Sequence, residues 1–189
     1  MPHTESPRLE AKQAIVGAYT NENCCNELVT TLVMIMKPYF LWDLVVDDRN
    51  NQLALVVEVK QKTNVSPEWA AKLRRNILAH EPFPNAPYFL LVFPDKFYLW
   101  SHTTADQDQS EPTYTIDASS ILQPYFERAG VTAQQISSTS LELIVASWLG
   151  EIIHSDQLPE TLDASQHWLV ESGLYAALVG GKLEQQAAA

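Results

Sequence analysis

Residues 40–60 read FLWDLVVDDRNNQLALVVEVK, two apolar segments that flank a polar turn. Residues 39–47 are rich in aromatic and β-branched side chains, and residues 53–60 form a second, largely apolar run. Both segments are therefore predicted to be strands. Between them lies the polar turn of residues 48–51, whose length suits an antiparallel hairpin.

This hairpin is predicted to bring charged side chains together. A register centred on the turn places Asp43 roughly opposite residues 56–58. Side chains alternate along a strand, so Glu58 and Lys60 share one face of the second strand. Charged groups in an otherwise apolar strand cost free energy unless they pair with other charges or serve in binding or catalysis. We therefore expect Asp43 and Glu58 to lie within a few ångströms of each other.

Helices and strands alternate around the hairpin. A helix over residues 24–36 is predicted before it, and another begins at Ser66-Pro67 and ends near residue 80. A second strand pair follows, and beyond the polar loop of residues 101–112 the periodicity becomes helical. The predicted strands are residues 88–93 and 97–100, and the predicted late helices are residues 122–129, 140–154 and 163–179. Gly180-Gly181 ends the last helix, and the tail of residues 183–189 is expected to fray.

Charge is distributed unevenly along the 189 residues, whose net charge is −11. Residues 1–100 contain ten Lys/Arg and eleven Asp/Glu, whereas residues 101–189 contain two and twelve. Overall acidity argues against nucleic-acid binding, because phosphate contacts need cations. The near-neutral first part can still present a local basic face.

Such a basic face is predicted beside the hairpin. Lys62, Lys72, Arg74 and Arg75 follow Lys60 closely, and Lys72 and Arg75 fall on one helical face. These four residues are candidate contacts to a DNA backbone. The alternative is an ordinary solvated helix face.

Composition excludes several classes of protein. No apolar run reaches the roughly 18–20 residues that span a bilayer. The first residues have no apolar signal core, so we expect no membrane and a cytoplasmic location. Cys24 and Cys25 are adjacent and have no CxxC spacing, which favours neither a disulfide framework nor a zinc site.

The predicted cluster suits one kind of chemistry. Two neighbouring carboxylates repel each other unless a cation lies between them, and oxygen ligands suit Mg²⁺ or Mn²⁺. Such a metal can activate water and stabilise charge on phosphate, and Lys60 could add a positive charge. The alternative is structural: Glu58 and Lys60 form a strand-edge ion pair, and Asp43 bonds to a turn.

Asp43, followed after fifteen residues by Glu58-Val59-Lys60, resembles the D…(D/E)XK signature of the PD-(D/E)XK nuclease superfamily. The resemblance covers about residues 22–100 and includes the order helix, hairpin, helix, strand. It implies that Asp43, Glu58 and the carbonyl of Val59 bind the metal and that Lys60 is the catalytic lysine. Glu27 matches the accessory acidic residue of many members. Trp42 stands where the signature has proline.

The resemblance implies an α/β fold with a restriction endonuclease-like core, a mixed central sheet flanked by helices. We expect this core in residues 1–105 and an acidic helical region in residues 106–189, packed on the core or used in oligomerisation. The expected function is metal-dependent hydrolysis of DNA, in restriction, repair or mobile-element processing. The alternative is a non-catalytic assembly or regulatory factor that works through protein contacts. The apolar stripe of residues 140–154 is predicted to belong to the core or to form the interface of a homodimer or with another protein partner.

Overall fold

The structure is a computed structural model, and it describes residues 42–80, 86–101, 111–155 and 162–185. The helix predicted over residues 24–36, with Glu27, lies outside the described residues.

The predicted hairpin is present. Strands β1 (Leu44–Asp47) and β2 (Leu53–Val59) pair antiparallel, with Leu44 opposite Val57. The Asp48 carboxylate closes the turn by accepting the backbone N–H of Asn50 at 2.8 Å. This register places Asp43, just before β1, opposite Glu58, as the sequence predicts.

Helix α1 (Pro67–His80) connects β2 to β3 (Tyr88–Val92), and these two strands run parallel. Strand β4 (Lys96–Ser101) then pairs antiparallel with β3. Pro67 at the first helical position and Ser66, whose Oγ accepts the N–H of Trp69 at 3.3 Å, mark the predicted start of α1. The order β1-β2-α1-β3-β4 is thus the predicted one.

The sheet has six strands, in the order β5-β4-β3-β2-β1-β6, and it is mixed because β2 and β3 are parallel. Strand β5 (Tyr114–Asp117) pairs with β4, and β6 (Lys182–Gln185) pairs with β1. The coarse prediction of an α/β fold with a mixed sheet and flanking helices is confirmed.

The main hydrophobic core lies between one face of the sheet and the helices that follow β5. These are α2 (Ser119–Ala129), α3 (Ser138–Ile153), α4 (His167–Glu171) and α5 (Leu174–Leu178). The apolar stripe predicted for residues 140–154 is buried here. Its members Leu141, Ile144, Val145, Trp148, Leu149 and Ile152 all contribute to this core. Asp43 and Glu58 face the other way, because they alternate with the core residues Leu44, Val57 and Val59.

Two sequence predictions for residues 101–189 are wrong, and one strand was not predicted. Residues 163–179 do not form one helix, because Gly173, at φ 79°, separates α4 from α5. The tail predicted to fray from residue 183 is ordered at its start: residues 182–185 form β6, whose backbone pairs with β1. Strand β5 was not predicted, since only Ile116 of its four side chains is buried. None of the helices described by the structure is long and apolar enough to cross a membrane.

Candidate functional site

Asp43 occupies a buried position at the end of the β1–β2 ladder. Its side chain is 1% exposed, and its Oδ2 accepts the backbone N–H of Val59 at 2.7 Å. Strand β1 begins only at Leu44, so the carboxylate takes the place of a backbone acceptor for the last residue of β2. Local structure therefore fixes where Asp43 points.

Glu58 lies beside Asp43 on the same face and is also 1% exposed. Lys60 completes the group. Its Nζ lies 2.5 Å from Glu58 Oε2 and 3.7 Å from Asp43 Oδ2. The structure therefore brings together the three residues that the sequence selected, with the ammonium group reaching both carboxylates.

The charges of this cluster do not cancel. Two buried carboxylates contribute two negative charges and Lys60 contributes one positive charge. The lysine side chain is 37% exposed and sits on a flexible stem, so it can move away from the carboxylates. A divalent cation therefore fits the cluster in charge, and carboxylate oxygens are the donors that Mg²⁺ and Mn²⁺ prefer.

The backbone carbonyl of Val59 is the third oxygen of the predicted ligand set. The N–H and C=O of a strand residue point towards the same neighbouring strand. Because the Val59 N–H is bonded to Asp43, its carbonyl also points to the β1 side. Among the residues described, no group of three or more His, Cys, Asp or Glu side chains could hold a metal.

The cluster lies at the carboxyl ends of the two parallel strands. The backbone N–H of Lys60 donates to the carbonyl of Val92, the last residue of β3, at 2.9 Å. In open α/β sheets, ligands commonly bind outside the carboxyl ends of parallel strands. The position in the sheet therefore suits a binding site.

Arg74 is not a surface cation, which corrects its selection as a DNA contact. It is 2% exposed, and its guanidinium lies over Trp100 at 5.2 Å and Phe89 at 5.7 Å. This burial lowers the pKa of Arg74 to about 10. Arg74 therefore packs α1 against the sheet face that carries Asp43 and Glu58.

The other three predicted cations are exposed. Lys72 and Arg75 lie on the outer face of α1, and Lys62 lies in the loop before it. The Nζ of Lys62 stands 4.5 Å from the ring centroid of Trp69. Sequence reasoning missed Trp69. The feature that could have identified it is a large aromatic residue on a different side of α1 from the buried residues Ala70, Ala71 and Arg74.

No family model, curated protein or solved structure matches this chain.

Proposed function

We propose that this chain is a divalent-metal-dependent nuclease that hydrolyses DNA phosphodiester bonds at a PD-(D/E)XK-like site. The observation that supports the proposal is the convergence of Asp43, Glu58 and Lys60 at the carboxyl ends of two parallel strands. The order β1-β2-α1-β3-β4 is compatible with a restriction endonuclease-like core, which is part of the same proposal.

Asp43, Glu58 and the carbonyl of Val59 would hold the metal. When bound, Mg²⁺ or Mn²⁺ would supply an activated water and neutralise charge on the phosphate. Asp43 stays oriented by its bond to the Val59 N–H, so one of its oxygens is fixed before any ligand arrives. Such preorganisation reduces the reorganisation that the reaction needs.

Lys60 would act on the scissile phosphate. Its ammonium already lies at the carboxylate cluster, and its half-exposed stem allows it to turn towards a non-bridging oxygen. There it would stabilise the negative charge that develops in the transition state, or orient the attacking water. Lys62, Lys72 and Arg75 would contact the flanking backbone phosphates, which carry no sequence information.

A cleavage assay tests this function. Wild-type protein is incubated with supercoiled plasmid and with a labelled single-stranded oligonucleotide in Mg²⁺, in Mn²⁺ or in EDTA. Three variants remove one function each: Asp43→Asn, Glu58→Gln and Lys60→Ala. Lys182→Ala is the matched control, because Lys182 also forms an ion pair with a glutamate two residues away on a strand, at 3.1 Å.

We expect metal-dependent cleavage that falls at least about 100-fold in the three site variants and is unchanged in Lys182→Ala. Circular dichroism establishes that each variant is folded. Cleavage that persists in all three site variants would come from a contaminant and would refute the assignment. No cleavage by wild type with either metal would favour the second candidate.

The second candidate is a non-catalytic assembly or regulatory factor. The observation that favours it is the excess of twelve acidic over two basic residues in residues 101–189. Such a surface repels DNA and suits a basic protein partner. A protein of this kind would show no salt-dependent affinity for DNA, whereas a nuclease that uses residues 60–75 would lose affinity steeply as salt rises.

A further inference from the structure

Trp69 is the exposed tryptophan of this protein. Its side chain is 39% exposed, while the other four tryptophans, all in described residues, are buried. The ring rests against Phe93 in an edge-to-face contact, with centroids 6.2 Å apart. This contact holds the indole in place but leaves part of it accessible to solvent.

Lys62 contacts the ring of Trp69 from a loop whose backbone is held by hydrogen bonds. The N–H of Lys62 donates to the carbonyl of Lys60 at 2.9 Å, and the N–H of Asn64 donates to Asp95 Oδ2 at 2.8 Å. Further along the loop, Tyr98 donates its hydroxyl to the carbonyl of Val65 at 2.5 Å. The backbone of the loop is therefore held at three points, and it places the side chain of Lys62 beside Trp69.

This pair lies next to the carboxylate cluster. Phe93, which supports Trp69, directly follows Val92, and the carbonyl of Val92 accepts the N–H of Lys60. Lys62 follows Lys60 by two residues along the chain, and its N–H donates to the Lys60 carbonyl. The aromatic ring and the candidate catalytic lysine thus share the end of the sheet where β2 and β3 finish.

The segment that carries Lys62 and Trp69 has more basic than acidic residues, unlike the chain as a whole. Residues 60–75 contain five Lys/Arg and a single acidic residue, Glu68, in a protein whose net charge is −11. Arg74 is buried and Lys60 is paired with Asp43 and Glu58, so Lys62, Lys72 and Arg75 are the exposed cations of this segment. A ligand that is both flat and negatively charged fits this surface.

We propose that Trp69 and Lys62 form a stacking platform for an unpaired base of single-stranded nucleic acid. The indole would stack on the base, and Lys62 would move from the ring to the adjacent phosphate. Because the platform lies beside Lys60, the strand would pass into the carboxylate cluster. This last step rests on the proposed nuclease function, whereas binding at the platform does not.

A base that displaces the Lys62 ammonium from the face of the Trp69 ring gains more than the lysine contact loses. An exposed lysine–aromatic contact contributes about two- to fivefold to an equilibrium constant. Stacking of a base on an aromatic side chain contributes roughly five- to 150-fold. The displaced ammonium regains an interaction at the phosphate, which makes the binding dependent on salt. A base in an intact duplex does not offer its face, so the platform selects unpaired strands.

Fluorescence anisotropy tests the platform with labelled 15-mers of deoxythymidine and of uridine, and with a duplex of the same length. Titrations are made in EDTA at low salt, so that no cleavage occurs. The variants are Trp69→Ala, Trp69→Phe and Lys62→Ala, with Leu143→Ala as a matched control. Leu143 is another exposed apolar residue, 55% exposed on α3 and remote from the β2–β3 end in sequence.

We expect wild type to bind both single strands more tightly than the duplex. Trp69→Ala should weaken this binding at least about fivefold, while Trp69→Phe should retain most of it. Leu143→Ala should bind as wild type does. Oligonucleotide should also quench the tryptophan fluorescence of wild type, and this quenching should be absent in Trp69→Phe.

Two results would overturn the platform: equal affinity of Trp69→Ala and wild type, or a wild type that does not bind single strands at low salt. The two proposals fail separately. A wild type that binds through Trp69 but never cleaves contradicts the nuclease and leaves the platform. Metal-dependent cleavage with a Trp69→Ala variant of unchanged affinity contradicts the platform and leaves the nuclease.

Discussion

Replacement of Asp43 by asparagine or by alanine separates its structural role from its chemical one. Asp43 Oδ2 accepts the N–H of Val59 at 2.7 Å, and both residues are at most 2% exposed. Alanine leaves this buried N–H without its acceptor, at a cost of about 1–3 kcal/mol. Asparagine keeps a neutral acceptor in nearly the same place, so it should lose only about 1 kcal/mol.

The difference between the two variants isolates the hydrogen bond. Both substitutions remove one of two neighbouring carboxylates and so relieve the same repulsion from Glu58. Both also remove the 3.7 Å contact with the half-exposed Lys60, which contributes under about 1 kcal/mol. We therefore expect Asp43→Asn to be more stable than Asp43→Ala by about 1 kcal/mol, and by at most about 2 kcal/mol.

Urea unfolding followed by circular dichroism measures this difference from the shift in midpoint at constant slope. A difference of this size is a sizeable share of the roughly 5–15 kcal/mol that stabilises a small domain. Equal midpoints for the two variants would refute the role of the Val59 bond. If Asp43→Asn is stable yet inactive in cleavage, the carboxylate takes part in the reaction and does more than accept the Val59 N–H.

Three further substitutions test other parts of the structure. Lys60→Ala should lower the unfolding free energy in EDTA by about 1 kcal/mol, because the carboxylates lose a half-exposed cation. Millimolar Ca²⁺ should then raise the Tm of this variant more than that of wild type, and equal shifts would contradict the site. Arg74→Ala should lower stability in urea by about 2–4 kcal/mol through lost packing over two aromatic rings, and leave DNA affinity unchanged. Gly181→Ala should cost about 1–3 kcal/mol in thermal unfolding, because its Cβ would overlap the carbonyl oxygen of Asp47 where β6 meets β1. The control Gly150→Ala, whose Cβ meets no atom within 4 Å, should gain up to about 1 kcal/mol, and equal effects of the two would contradict the pairing of β6.

Sequence alone predicted the centre of the sheet because its signals there are local. The turn at residues 48–51 sets the hairpin register, and that register places Asp43 opposite Glu58. Ser66-Pro67 marks the start of α1 for reasons contained in the first turn of the helix. Each of these predictions needs only neighbouring residues and the period of a strand or helix.

The remaining features depend on contacts between distant residues. Strand β6 carries no apolar alternation of its own and exists because its backbone pairs with β1. The charge of Arg74 indicated a surface position, whereas the rings of Phe89 and Trp100 cover it. Trp69 was overlooked because its contacts are with Lys62 and Phe93, which lie outside α1. The helical pattern does not show such contacts.

The most direct test of the proposed metal site is the binding of Mn²⁺, followed by electron paramagnetic resonance. Wild type is compared with Glu58→Gln, which keeps the shape of the side chain but removes its charge. Glu171→Gln, on an exposed residue of α4, accounts for weak binding to the acidic surface. We expect one tight site in wild type and in Glu171→Gln that is lost in Glu58→Gln. Equal binding by all three proteins would contradict a metal site at Asp43 and Glu58.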